Sequence, residues 1–489
     1  MNLYDACAAH RHPLMRLAGG SALPPAAPHT RGAGALAGSP YGAIAPVNDI
    51  STGLPLLQLP AGFAYKSYGW RGDRMNDGKN CPGGHKGMGV VQSRKVGHAT
   101  ELVLVRNHAV GGTGPGNVIQ APAMYDSGTT NAGTVNQFGG GAVHLIFRDG
   151  NWAGMTPSLG GTQANGGGAR TPWGTWLSCE EVGSDAVGTA GKPHGYVFEV
   201  AADPASTDGQ PIVGMGRFAH AALAVDPATG IVYMTEDSAG QSGLYRYVPH
   251  IRPGARGTLA MGGVLQMARV QGVSNANLAR AAADVRLRLE WVDIADPDRA
   301  RGDATGIHGE TVSHAAGPFV QGWAQGALRM GRGQGIWYAD GRMVVMVGAG
   351  GADARATIWE LELATQHMRC THASPGALAG MGEHLTLSPH NAMLICETGA
   401  DHAIDSFGYG QRLMGLTVQG EPYIFAKNHV LLNQVQLAVA GKRTDLAGDH
   451  RAHAFAGACF DPTGRYLFVN LPTPGITFAI TGPWAKGPL

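Results

Sequence analysis

Charge is scarce in this chain. Lys, Arg, Asp and Glu make up 15% of its 489 residues, and their balance leaves a formal net charge of +1. A balance so close to neutral lacks the basic footprint that nucleic-acid binding needs and offers no acidic tail. Cysteine is sparse too: the six, Cys7, Cys81, Cys179, Cys370, Cys396 and Cys459, contain no CxxC or CxxCH. That excludes attached c-type haem and the common paired-cysteine zinc sites, and leaves free, mostly buried thiols as the expectation. No apolar run approaches the length of a membrane-spanning helix. A serine-hydrolase elbow, Gly-x-Ser-x-Gly, is missing, as is the Gly-x-x-x-x-Gly-Lys-Ser/Thr loop of nucleotide sites.

Glycine, by contrast, is abundant, at 76 residues, and hydrophobic residues reach 44%. Together they describe a turn-rich chain able to bury a large core, not a disordered one. Residues 1–50 are rich in Ala, Pro and Gly and read as a flexible leader or arm. Within them, 10–27 has the flavour of a bacterial export signal. His12 stands where a twin-arginine signal would carry its second Arg, and Arg16 interrupts the short apolar segment. A working signal would make the protein periplasmic; otherwise it is cytoplasmic. Residues 51–489 read as a single domain.

That domain is a succession of short strands with a recurring plan. A strand runs into a turn of the Asp/Ser-Pro-x-(x)-Gly kind, a second strand ends on a polar or acidic tip, and a third strand carries an aromatic. The turns at 226–230, 340–341, 388–391 and 461–464 have a mechanism: Pro presets one turn position, and Gly or Asn tolerates positive φ. The stretch 171–181, TPWGTWLSCEE, shows the plan at its clearest, a turn feeding an apolar strand that ends on Cys179, Glu180 and Glu181. Tips follow at Glu236-Asp237, Glu397 and Asn470, at intervals suited to propeller blades. The predicted fold is an all-β propeller in which tips distant in sequence meet at one central funnel. An insertion at 249–333 breaks the plan, and 275–286 (NANLARAAADVR) has helical composition. The Gly-rich segment 111–141 is expected to loop over one end of the funnel.

In this order, several segments are similar to the PhoX-type bacterial alkaline phosphatases. They include LVRNH (104–108), 170–181, HGY (194–196), GRFAH (216–220), VYMTED (232–237), GLYR (243–246) and GIWY (335–338). The closing carriers are FAGACF (455–460), LFVN (467–470) and PGITFAITGPW (474–484). The resemblance implies a propeller with a central cluster of iron and calcium that hydrolyses phosphate monoesters of small molecules, in a protein expected to be monomeric. It implies Cys179 as a thiolate ligand and Glu180, Glu181, Glu236, Asp237, Glu383 and Glu397 as carboxylate ligands. Arg170, Arg217, His108 and His220 are the candidate catalytic or phosphate-contacting residues. Such a donor set is chemically sensible, since calcium takes several carboxylate oxygens and multivalent cations offset the charge of a phosphoryl group.

The sequence also departs from the family's pattern. Ala109, Ala221, Gln334 and Ala454 stand where acids are usual, Thr398 replaces an Asp, and Lys86 puts a cation where the family has an Asp. Fewer carboxylates and one added ammonium imply a reduced or different metal content, with His85, His108, His220 or His384 as further ligands. Three readings follow: a phosphomonoester hydrolase with an altered metal centre, a catalytically inactive propeller that acts as a binding or scaffold protein, and, more remotely, a lactonase-like propeller using one calcium or zinc.

Overall fold

The computed structural model describes residues 36–111, 119–131, 134–136, 138–183, 191–279, 281–348, 356–373, 381–399, 404–417 and 420–489. Six strands line the centre of the fold: His85–Val96, Asn165–Arg170, His220–Val225, Arg332–Ala339, Met381–Leu387 and Ala456–Phe460. Each packs against the next, and the last packs against the first, so they close a ring. From each, antiparallel strands radiate outward, giving a six-bladed propeller. Blade one, for example, runs outward through Ala99–His108, Gly140–Arg148 and Asn151–Thr162.

The chain closes the ring on itself. Ala64–Tyr68 is the outermost strand of blade six, paired with Ile476–Thr481. Leu57–Pro60 and Ile44–Val47 extend blade five, so the first 50 residues are not wholly an arm: Ile44–Val47 is a paired strand. Residues 1–35, including the export-like segment, lie outside the described residues.

The insertion at 249–333 is also more ordered in plan than its composition suggested. It supplies the fourth strand of blade three, Gly263–Val270, and then Arg286–Asp293, whose pairing with His367–Ala373 fuses blades three and four into one nine-stranded sheet. Its helix is Gly317–Ala324, not 275–286, whose described residues form turns and bridges leading into a strand. Phe319 and Trp323 are fully buried on that helix, so tertiary packing sets its position despite two glycines.

At one end of the ring each inner strand turns into the second strand, through the predicted turns in five blades and through Gly97-His98 in blade one. Asp226 Oδ1 accepts from Ala228 N (3.0 Å) and Oδ2 from Thr229 Oγ1 (2.6 Å), and Asp461 caps its own turn in the same way. At the opposite mouth the starts of the inner strands face the ends of the second strands: His85 with His108, Asn165 with Glu180, His220 with Glu236, Gly382 with Glu397 and Ala456 with Asn470. The acidic tips therefore do converge on one mouth, as the repeat predicted.

Candidate active site at the propeller mouth

The register between inner and second strand slips at the mouth in all six blades. Such β-bulges bend a strand and re-aim its side chains, and they concentrate at barrel rims and beside active sites. The residues they set out of register are Lys86 and Gly87, Gly166 and Gly167, Ala221, Gln334 and Gly335, Glu383, and Gly457 and Ala458. Three positions where the sequence lacks an expected acid, Lys86, Ala221 and Gln334, thus sit in bulges. Of the bulge residues only Glu383 is a carboxylate, and its side chain lies outside the described set.

The bulged backbones of neighbouring blades press together. A Cβ on Gly87 would come within 2.7 Å of the Gly166 carbonyl oxygen, and one on Gly167 would overlap that of Ala221. Side chains from the second strands stitch the ring across these contacts. Asn470 Nδ2 donates to Lys86 O (2.6 Å), Asn107 Nδ2 to Gly167 O (2.7 Å), and Thr235 Oγ1 to Gln334 O (3.0 Å). Asn107 Oδ1 in turn accepts from Trp176 Nε1 (2.9 Å) and Ser178 Oγ (2.8 Å).

The mouth acids are held by protein donors. Glu180 is fully buried and accepts from Gln163 N (2.8 Å), Gly195 N (2.7 Å), Tyr196 N (3.1 Å) and His194 Nδ1 (2.5 Å). His194 Nε2 lies 3.7 Å from Asp126 Oδ2, so the imidazole sits between two buried carboxylates and is hydrogen-bonded to Glu180. Glu236 accepts from Tyr245 Oη (2.8 Å) and Gly243 N (3.1 Å), and burial raises its carboxyl to about 7. Asp237 is paired with the Arg332 guanidinium through both carboxylate oxygens, and Glu397 likewise with Arg412. Glu181, half-buried, rests its carboxylate over Gly166 at the start of the inner strand.

The remaining candidates are less concentrated. Cys179 is fully buried among Leu177, Val197, Met215 and Phe218, and burial pushes its thiol well up. Arg170 ends the same inner strand whose start faces Glu180. Five residues at about 3.3 Å each put it roughly 17 Å away, opposite Trp176 at the hairpin end. Arg217 donates to the Asp298 carbonyl (2.9 Å) and pairs with its carboxylate (3.2 Å). His220 is buried on the Phe218 ring with Nε2 3.0 Å from Gly216 O, and desolvation lowers it to about 4.

A second constellation, undetected in the sequence apart from its histidines, lies at the blade-one mouth. Cys81, His85 and His108 are buried with ligand atoms within 4.8 Å of one another, a possible Cys/His metal site. Arg106 joins them, donating through Nη2 to Cys81 Sγ (3.0 Å) and approaching His108 Nε2 (3.3 Å). The spacing Cys81-x-x-x-His85, together with the Arg106-Asn107-His108 strand end, was the available signal.

The alkaline phosphatase PhoX family model matches residues 131–475. The chain belongs to this family. The structure of Pseudomonas fluorescens PhoX in complex with vanadate, a transition state analogue, is similar over 91% of this chain and 98% of that one, with a TM-score of 0.59 at 15% identity. The shared likeness extends to the propeller architecture. A gluconolactonase from Xanthomonas campestris aligns over 93% of this chain and 99% of its own at 11% identity, but with a TM-score of 0.38 it is too distant to bear on function. No curated protein matches the chain. PhoX family enzymes are metal-dependent. Among the described residues, no helix is long and apolar enough to cross a membrane.

Proposed function

We propose that the protein is a PhoX-type phosphomonoester hydrolase with an altered and reduced metal centre at the bulged mouth. The observation that carries the reading is the convergence there of Glu180, Glu181, Glu236, Asp237 and Glu397 in a chain of this family. What argues for a reduced centre is the company these acids keep. Calcium takes six to eight oxygen ligands, whereas Glu180 and Glu236 are already hydrogen-bonded by the chain and Asp237 and Glu397 by arginines. Cys179 is embedded in apolar side chains, and Lys86 brings a cation to a bulge. The described donors do not fit a full calcium and iron cluster, so no chemical step is derived through one.

On this reading the chain's own part is to bind and orient the ester. Arg332, whose side chain is 37% exposed beside Asp237, is the guanidinium best placed to meet a phosphate dianion, with Lys86 and Arg217 as further cationic contacts. Arg170, His108 and His220 are left with structural roles. The related Pseudomonas fluorescens protein binds vanadate, and inhibition of this protein by vanadate is expected as well.

The test is hydrolysis of p-nitrophenyl phosphate by the purified full-length protein, with iron, calcium, manganese or zinc supplied, alongside elemental analysis. Turnover that a chelator abolishes, with fewer bound ions than a full cluster, supports the proposal. No bound metal and no turnover with any of the four would reject it in favour of a non-catalytic binding propeller, a reading that the saturation of the described acids favours.

A further inference from the structure

The Cys81, His85 and His108 cluster has the chemistry of a site for zinc-class metals, but a guanidinium nitrogen contacts two of its three members. Thiolate and imidazole are the donors that zinc and cobalt prefer. His108 is also oriented as a ligand would be. Its Nδ1 lies 2.8 Å from the Gly83 carbonyl, which fixes Nδ1 as the donor and leaves the Nε2 lone pair facing inward. His85 Nε2 lies 3.0 Å from Pro82 O and 3.7 Å from Cys81 Sγ.

What faces Cys81 Sγ and His108 Nε2 is Arg106 Nη2, at 3.0 and 3.3 Å. The guanidinium is itself anchored away from them by Nη1, which donates to Thr477 Oγ1 (2.7 Å) and approaches Gly69 O (3.4 Å). Zinc would need its sulfur at about 2.3 Å and its nitrogens at about 2.0–2.1 Å, so the shell would have to contract by roughly 1 Å around an ion. A divalent ion would also share a fully buried site with a permanent cation, at a heavy Coulomb cost.

We propose that Arg106 stands in for a metal ion at this site: Cys81, His85 and His108 form a latent zinc-class ligand set that the arginine keeps closed. At the mouth, too, a guanidinium is paired with a candidate ligand, Arg332 with Asp237 and Arg412 with Glu397. The proposal stands apart from the hydrolase reading, because Cys81 is not among the mouth donors on which that reading rests.

Cobalt(II) titration of the full chain tests it, with thiolate-to-cobalt charge-transfer absorption as the readout. The wild type is expected to show no such band dependent on Cys81. Arg106→Gln should acquire one equivalent of it, and Arg106→Gln combined with Cys81→Ser should lose it again. Arg106→Lys keeps a cation in place and should stay closed. Should Arg106→Gln not fold, the wild type and Cys81→Ser decide the matter by elemental analysis after zinc loading. Equal zinc supports the arginine plug, and loss of one equivalent in Cys81→Ser overturns it. A Cys81-dependent band in the wild type, or none in a folded Arg106→Gln, also overturns it.

Discussion

Replacing Glu397 by Gln is the sharpest probe of how the mouth acids are used. Glu397 and Arg412 are a buried, two-pronged ion pair, with side chains 2% and 5% exposed. Removing one charge of such a pair strands the other and typically costs about 3–5 kcal/mol. Arg412 would retain Asp405, whose Oδ2 lies 3.7 Å from its Nη1, so the low end, about 3 kcal/mol, is expected. With an unfolding entropy of about 2.1 cal/mol/K per residue, a chain of 489 residues loses roughly 1 kcal/mol of stability per kelvin near its midpoint. The melting temperature should then fall by about 3 °C. Pairing the change with Arg412→Met should recover most of the loss, because the stranded charge is gone.

Calorimetry with and without a chelator separates this from metal ligation. If Arg412 is the partner of Glu397, the loss is the same in both conditions and the metal content per chain is unchanged. A difference from wild type that disappears on chelation, with a matching loss of bound metal, would make Glu397 a ligand and refute the pairing argument. So would a variant within about 0.5 kcal/mol of wild type in both conditions.

Glu236 should make stability fall with pH. Its folded carboxyl is raised from 4.5 to about 7 by burial, so the folded state holds a proton that the unfolded state has released; stability is greatest below pH 4.5, declines to about pH 7 and is level above. Glu236→Gln should remove that slope and, in chelated protein at pH 8, add up to about 3 kcal/mol, measured by denaturant unfolding across the pH range. His194→Gln takes one donor from buried Glu180 and the ring contacts with Tyr125 and Phe138, and should cost about 2 kcal/mol in the same assay. Gly167→Ala places a methyl on the Ala221 carbonyl and should lower the melting temperature by several degrees. Gly302→Ala, with open space around it, should leave it within a degree.

Strands and turns were legible because each obeys a local rule. The short apolar runs at 142–147 and 357–361 and the Asp-Pro turns at 226–230 and 461–464 carry their structure in adjacent residues. The helix at Gly317–Ala324 was not, because Gly317 and Gly322 argue against it locally and only the burial of Phe319 and Trp323 decides it. The bulges were hidden for a related reason. Gly166-Gly167-Gly168 has no hydrophobic period, and its out-of-register geometry depends on the neighbouring blade.

The acids at the tips were legible as residues but not as ligands. What a carboxylate can do depends on what already donates to it, and those donors lie 15 residues away for Arg412 on Glu397 and 95 for Arg332 on Asp237. The same holds for Arg106, which is two residues from His108 yet 25 from Cys81. Counting missing acids led to the expectation of a thinned metal centre, but it treated the retained acids as available. Their pairing is a separate argument for the reduced centre proposed above: Glu397, bound to the buried Arg412 guanidinium, would have to break that pair before it could serve an ion, leaving the arginine stranded. On the proposed reading, fixed cations and metal ions would compete for the same donors, and the arginines on Asp237 and Glu397 would limit how many ions the mouth holds.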